Sequence, residues 1–138
     1  MKILFLDVDG VLNRTGTRER SCHGTYGVEP EKVAMVHEIV DKTGCSIVVS
    51  STWRKFEDLY TELLSSFPQV IGKTPVLPRP AIRGDEIAMF IDELGGDHTI
   101  AILDDDRDMG RLVNRLVRTR GDTGLTHELK DQVIELLS

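Results

Sequence analysis

The apolar positions of the chain fall into short continuous runs and longer periodic ones. Three largely continuous runs, at 2–6, 45–50 and 99–103, have the length of strands. Strands without polar alternation are buried on both faces, as in a parallel sheet that helices cover on each side. A shorter stretch at 116–119 predicts a fourth strand.

Between these runs, apolar residues recur every three or four positions, which is typical of helices with one buried face. Glycine and proline punctuate these segments in the positions expected of helix ends. The predicted helices run from Pro30 to before Gly44, from about Phe56 to before Pro68, from Gly84 to before Gly95-Gly96, and from after Gly124-Leu125-Thr126 to the C-terminus. Strands that alternate with helices predict an α/β fold, a Rossmann-like three-layer sandwich around a mostly parallel sheet.

Two segments lack either periodicity. Residues 13–29 are polar and glycine-rich, and a loop of this length in a compact domain is usually functional. Residues 68–83 carry four prolines and are expected to form a rigid connector without regular helix. Both are loop-sized, so we expect a single domain over 1–138 without a large cap domain.

Composition narrows the classes of function. A net charge of −6 argues against a general affinity for nucleic acid or anionic membranes, because both require a basic face. Cys22 and Cys45 are too few for a disulfide framework and indicate free thiols in a reducing compartment. With no signal peptide and no apolar stretch of about 20 residues, we expect a cytoplasmic protein without a membrane partner. The oligomeric state stays open.

Polar side chains follow each of the three long strands. Asp7 and Asp9, at i and i+2, point to the same side of the first strand and repel unless a cation or a proton lies between them. Gly10 then allows a sharp turn and a close approach to a ligand. Ser50-Ser51 ends the second strand, and the acidic run 104–108 follows the third. Because ligands of parallel sheets bind at the carboxyl ends of the strands, these residues predict one shared site.

These motifs, in this order, resemble the haloacid dehalogenase (HAD) superfamily of phosphohydrolases. Asp7-Val-Asp9-Gly10-Val-Leu resembles its first motif, Ser50 (with Ser51 as the alternative) its second, Arg83 its third and the Asp104–Asp108 run its fourth. More narrowly, the chain is similar to the HAD domains of Swiss Army Knife RNA-repair proteins, relatives of the phosphatase half of polynucleotide kinase-phosphatase. The segments that carry this similarity are Ser50-Ser-Thr-Trp-Arg54, Gly72-Lys-Thr-Pro75, Arg83-Gly-Asp-Glu-Ile87, Leu103-Asp-Asp-Asp106 and Gly124-Leu-Thr126.

The resemblance implies a role for each motif. Asp7 would attack phosphorus, and Asp9 would act as general acid and then as general base. Ser50 would donate a hydrogen bond to a phosphoryl oxygen. Mg²⁺ would be held by Asp7, the backbone carbonyl of Asp9 and an acid of the fourth motif. That acid stays open: Asp104 and Asp108 have the spacing of an Asp-x-x-x-Asp form, and Asp105 fits a paired-Asp form.

The third motif also leaves two alternatives. The family's usual residue there is Lys; we favour Arg83, which opens the helix before the fourth motif, over Lys73 in the connector. Either cation would neutralise the phosphate and the nucleophile. Gly10, Ser51, Arg54 and Lys73 are candidate substrate-binding residues. Trp53 and Arg54 have two interpretations. In one, Trp53 stacks on a base or leaving group and Arg54 contacts phosphate; in the other, Trp53 packs under the loop and Arg54 forms a local cap or salt bridge.

We therefore expect a Mg²⁺-dependent phosphomonoesterase that forms an aspartyl-phosphate. Its partner would be a phosphorylated substrate, with nucleotide and polynucleotide phosphate ends as the candidate class. Two alternatives from other classes are a receiver-like phosphoacceptor module and a catalytically inactive HAD-like binding module.

Overall fold

The structure, a computed structural model, describes every residue from Met1 to Ser138. It contains five strands, β1 to β5, and four α-helices, α1 to α4, which alternate through most of the chain. In order they are β1 (Lys2–Leu6), α1 (Pro30–Thr43), β2 (Ser46–Val49), α2 (Glu57–Ser66), β3 (Val70–Lys73), α3 (Arg83–Leu94), β4 (Thr99–Asp104), β5 (Leu116–Arg118) and α4 (His127–Leu137). Short 3₁₀ helices at Thr52–Lys55 and Gly110–Arg115 follow β2 and precede β5.

The five strands form one sheet in the order β3-β2-β1-β4-β5, and every neighbouring pair is parallel. The predicted α/β class with a parallel sheet is therefore confirmed. The chain first builds outward from β1 to β2 and β3, then returns to place β4 on the other side of β1. This change of direction makes the carboxyl ends of β1 and β4 the place where an open parallel sheet has its ligand crevice.

Side chains of β1 alternate between two cores, one on each face of the sheet. Leu4 and Leu6 belong to the larger core, to which α1, α2 and α4 contribute. Ile3 and Phe5 belong to a smaller core that is closed by Ile87 of α3. Because both faces of β1 are buried, the strand shows a continuous apolar run instead of an alternating one. None of the four helices combines the length and the apolar character needed to cross a membrane.

One strand, β3, was not predicted. Residues 68–83 were expected to form a rigid connector without regular helix, but Val70–Lys73 is a strand that pairs with β2 and forms the edge of the sheet. This strand is half-exposed and only four residues long, so it has no continuous apolar run, and prolines lie on both sides of it. The remaining residues of the connector, 74–82, form no regular element, as expected.

The segment 13–29 contains no helix or strand, and the carboxylate of Glu29 anchors its end. That carboxylate accepts a hydrogen bond from Thr17 Oγ1 at 2.8 Å and lies 3.1 Å from the buried Lys32 ammonium and 3.4 Å from Arg14 Nε. Burial alone would raise the pKa of Glu29, but the Thr17 hydroxyl and the Lys32 and Arg14 cations hold it below its usual range. The segment is thus tied to the start of α1.

Candidate active site

The crevice at the carboxyl ends of β1 and β4 contains three aspartates. The two strands pair in register up to Leu6 and Leu103, and the Asp7 amide donates to the Leu103 carbonyl at 3.1 Å. This pairing sets Asp7 beside Asp104. Oxygens of Asp7, Asp104 and Asp105 all lie within 4.8 Å of one another.

The turn that follows Asp7 is fixed by hydrogen bonds. Asn13 Nδ2 donates to the exposed Asp9 carboxylate at 3.0 Å, and the Gly10 amide donates to Asn13 Oδ1 at 2.9 Å. Gly10 has a φ of +78°, and a Cβ there would overlap the Asp105 carboxylate. The Thr119 hydroxyl donates to the Gly10 carbonyl. Sequence reasoning gave Asn13 and Thr119 no role, although Asn13 directly follows the first motif and Thr119 ends the predicted fourth strand.

Arg83 lies against the aspartates from the first turn of α3. Its guanidinium is 3.0 Å from Asp104 Oδ2 and 3.4 Å from Asp7 Oδ1. The helix can approach this closely because Gly84 has no side chain; a Cβ there would overlap the Met109 carbonyl. Of the two rivals for the third motif, Arg83 is therefore the one that contacts the acids.

Lys73 has different neighbours. Its ammonium lies 4.5 Å from the centre of the Tyr60 ring and 3.4 Å from the Arg54 carbonyl. The side chain sits at the exposed sheet edge, so its described contacts place it outside the carboxylate cluster.

Asp108 also stays out of the cluster. Its side chain is exposed, its amide donates to Asp106 Oδ1, and its carbonyl accepts from the Gly84 amide at 3.1 Å. The four-residue spacing from Asp104 to Asp108 therefore does not bring the two carboxylates together. The structure instead groups the adjacent pair, Asp104 and Asp105, with Asp7.

Burial dominates the electrostatics of the cluster. It raises the pKa of Asp7 well above the usual range, the Asp104 carboxylate raises it further, and Arg83 opposes both effects. Burial also raises the pKa of Asp104, against the lowering influence of Arg83 and of the Asp106 amide. The crevice is therefore a place where a proton or another cation is favoured between the carboxylates.

The two serines that follow β2 differ in their hydrogen bonds. Ser50 is completely buried beside β1, with its amide donating to the Leu6 carbonyl at 3.0 Å, and its hydroxyl has no partner. An unpartnered buried hydroxyl is uncommon and calls for a ligand or a water. The Ser51 hydroxyl instead accepts a hydrogen bond from the Trp53 amide at 3.2 Å and caps the following 3₁₀ helix.

Arg54 and Trp53 follow the packing alternative. Both are buried, and the Arg54 guanidinium donates to the carbonyls of Ser50, Ser51, Thr74 and Pro75. It also forms an ion pair of 2.9 Å with Glu86. With these partners Arg54 holds the loop after β2 to the loop after β3, and its contact with a substrate phosphate stays a prediction.

The chain was compared with known proteins. The model of a family described as the HAD domain in Swiss Army Knife RNA repair proteins matches residues 3–129. No curated protein gives a match. The matched range contains β2 to β5, β1 from Ile3 onward, the three aspartates and Arg83, and it leaves out residues 1–2 and 130–138, which include most of α4. The chain therefore belongs to the family of HAD domains found in Swiss Army Knife RNA repair proteins.

Proposed function

We propose that this HAD domain is a Mg²⁺-dependent phosphomonoesterase that acts through an aspartyl-phosphate on nucleotide or polynucleotide phosphate ends. Membership of the family implies a hydrolase of the phosphatase type. One observation supports the finer proposal most directly: Asp7 lies at the end of β1 among two further carboxylates and the Arg83 guanidinium. A nucleophile, acidic metal ligands and a phosphate-binding cation are thus within reach of one reacting group.

In this mechanism an Asp7 oxygen attacks phosphorus, and the bond between phosphorus and the leaving oxygen breaks. Asp9, exposed and oriented by Asn13, gives its proton to the leaving alcohol. Asp9 then takes a proton from the water that attacks the aspartyl-phosphate, which releases inorganic phosphate and restores Asp7. The hydrolysis is thereby divided into two displacements at phosphorus.

Two groups are suited to bind the phosphoryl oxygens. The Ser50 hydroxyl has no partner in the protein and can donate to an oxygen of the phosphate. The Arg83 guanidinium, with five N–H donors and a permanent charge, can contact the phosphate while it remains beside Asp7. Gly10 leaves room for the phosphate because it lacks a side chain at this turn.

The donors in the crevice fit Mg²⁺, which prefers carboxylate, carbonyl and water oxygens. Asp7, the Asp9 carbonyl and Asp105 would hold it, because Asp104 is already bonded to Arg83 and to the Asp106 amide. Asp105, by contrast, directs its carboxylate toward Gly10. When bound, the ion would neutralise the charges of the nucleophile and the phosphate.

Basic side chains lie on both sides of the crevice, among acidic ones, and an extended anionic substrate would contact them. A cleft of about 440 Å³ next to Arg83 is lined by Lys55 and Arg79 among other residues. A second cleft, of about 430 Å³, lies next to Asp105 and is lined by Arg118 and Arg120. Neither the segment 13–29 nor 74–82 folds into a cap domain, so a polynucleotide end has room to enter.

The test is a panel of phosphate esters assayed with Mg²⁺ and after chelation. We expect Mg²⁺-dependent release of phosphate from an aryl phosphate, and higher kcat/KM for oligonucleotides with a terminal phosphate. Lys55→Ala and Arg120→Ala should weaken only the oligonucleotide reaction and flatten its dependence on salt. A phosphorylated protein that accumulates without turnover would contradict the proposal and favour a receiver-like module.

We expect Mg²⁺ to stabilise the fold, and to do so more as the pH rises. The folded-state pKa of Asp7 is raised, so the metal-free protein loses stability as the pH climbs from the usual aspartate value of about 3.9 through the raised value. Mg²⁺ binds the ionised form and offsets that loss, by about 2.7 kcal/mol at 100 times its Kd. Thermal unfolding at about pH 5 and about pH 8, with NaCl of equal ionic strength as control, checks this. A shift that Asp105→Asn leaves unchanged would contradict the assignment of the ligands.

Arg83→Ala is expected to lower kcat/KM by about 10²- to 10³-fold at saturating Mg²⁺, because it removes one charged donor from the transition state. Arg83→Lys should retain part of the activity, since lysine keeps the positive charge but lacks the paired N–H donors of the guanidinium. Lys73→Ala is the matched control, because Lys73 contacts Tyr60 and the Arg54 carbonyl. A larger loss in Lys73→Ala than in Arg83→Ala would reverse the assignment of the third motif.

A further inference from the structure

A second group of possible metal ligands lies on the surface between the segment 13–29 and α2. Cys22 and His23 come from the segment, and Asp58 comes from the first turn of the helix. One Sγ, one ring nitrogen and one carboxylate oxygen of these three residues lie within 4.8 Å of one another. None of the three belongs to the carboxylate crevice, and the phosphatase mechanism uses none of them.

The three donors converge because both sides of the contact are held in place. The His23 Nε2 atom lies 2.8 and 2.9 Å from the two oxygens of Asp58, and the ring packs edge-on against Phe56 at 5.5 Å between centroids. On the side of the segment, the Ser21 amide donates to the Thr25 carbonyl and closes a tight turn around these residues.

A fourth oxygen donor lies next to the other three. Glu62 is one helical turn after Asp58, and its Oε2 accepts a hydrogen bond from the Cys22 amide at 3.1 Å. Two acids at i and i+4 on one helix face repel each other. Here both contact the Cys22-His23 pair, and all four residues line a surface cleft of about 1120 Å³.

The chemistry of this set differs from that of the crevice. A thiolate and an imidazole are the ligands that Zn²⁺ and similar borderline-soft ions prefer, whereas Mg²⁺ takes oxygen. Three protein ligands with one position for water or for a further carboxylate also match the four-coordinate geometry of Zn²⁺.

We propose that Cys22, His23 and Asp58 form a site for a divalent transition-metal ion of the Zn²⁺ type, with Glu62 or a water as the fourth ligand. On binding, the ion replaces the thiol proton of Cys22, which passes to solvent. The bound ion joins the segment 13–29 to α2, whereas Glu29 anchors the end of the segment to the start of α1. It therefore stabilises the segment that directly follows the Asp7–Asp9 motif.

The test uses Co²⁺ as a spectroscopic substitute for Zn²⁺, added to the full chain in excess Mg²⁺ that occupies the crevice. We expect one equivalent of Co²⁺ to give tetrahedral visible bands and a thiolate charge-transfer band, both of which Zn²⁺ displaces. Cys22→Ser and Asp58→Asn should weaken binding at least about tenfold, which corresponds to about 1.4 kcal/mol. Glu57→Gln, on the same turn and in the same cleft, is the matched control and should bind like the wild type.

A second measurement separates binding from folding defects. Zn²⁺ should raise the melting temperature of the wild type in excess Mg²⁺, because an ion that binds only the folded chain stabilises it. Cys22→Ser should melt at the wild-type temperature without Zn²⁺ and show no rise with it. Absence of a thiolate band, or a band of equal strength in Cys22→Ser, would overturn the proposal and leave an ordinary His–Asp ion pair beside a free thiol.

Discussion

Asp7→Asn is expected to lower kcat for an aryl phosphate by at least about 10³-fold, the scale on which loss of a covalent nucleophile acts. The amide is neutral and a poor nucleophile, while its shape and volume are nearly those of the acid. Arg83 keeps its contact of 3.0 Å with Asp104, so the crevice retains its main ion pair. Steady-state kinetics at saturating Mg²⁺ measures the loss.

The matched control for Asp7→Asn is Asp108→Asn, which makes the same chemical change at an acid of the fourth motif that lies outside the carboxylate cluster. The Asp108 side chain is exposed, and only its backbone carbonyl holds Gly84, so kcat should stay within a few-fold of the wild type. Equal activity of Asp7→Asn and the wild type would contradict the assignment of Asp7 as the nucleophile. A large loss of kcat in both Asp108→Asn and Asp105→Asn would instead point to a metal site built from the fourth motif alone.

A stability measurement separates a chemical loss from an unfolded variant. Asp7 is buried, and both burial and Asp104 raise its pKa, so its ionisation destabilises the metal-free fold near neutral pH. Removing that charge should therefore leave the melting temperature of metal-free Asp7→Asn at or above the wild-type value. The variant should also gain less from Mg²⁺ than the wild type does.

The sequence was most informative where an element is buried on both sides. β1 and β4 are continuous apolar runs because each lies inside the sheet, and their polar ends share an edge by the geometry of parallel strands. β3 was missed because it is a short edge strand with one neighbour and half-exposed side chains. Such a strand is stabilised by its pairing with β2, and this pairing leaves no hydrophobic pattern in the sequence of the strand itself.

Residue types predicted the candidate site better than they predicted which member of a cluster faces the centre. The choice among Asp104, Asp105 and Asp108 depended on how the chain turns after β4. There, hydrogen bonds from the Asp106 and Asp108 amides wind the chain so that Asp108 points outward. Spacing alone could not predict this turn. The Cys22, His23 and Asp58 group was hidden for a similar reason, since its members are 35 residues apart between His23 and Asp58.

Arg54→Met is expected to destabilise the fold by about 3–5 kcal/mol, the usual effect of removing one partner of a buried ion pair. The substitution keeps much of the side-chain volume but leaves Glu86, whose side chain is only 12% exposed, without its cation. It also leaves the carbonyls of Ser50 and Thr74 without the donors that join the loops after β2 and β3. Urea unfolding measures the change in free energy.

The double variant Arg54→Met/Glu86→Leu distinguishes the two causes of that loss. If the unpaired Glu86 charge dominates, the double variant should recover a large part of the lost stability, because an apolar pair can replace a buried ion pair with little effect. If the carbonyls dominate, recovery should be small, and activity should fall as well, since the loop that follows Ser50 would lose its bonds to the loop after β3. A loss below about 1 kcal/mol in Arg54→Met, the range of exposed pairs, would show that Arg54 does not hold these loops and would favour its prediction as a substrate-binding residue.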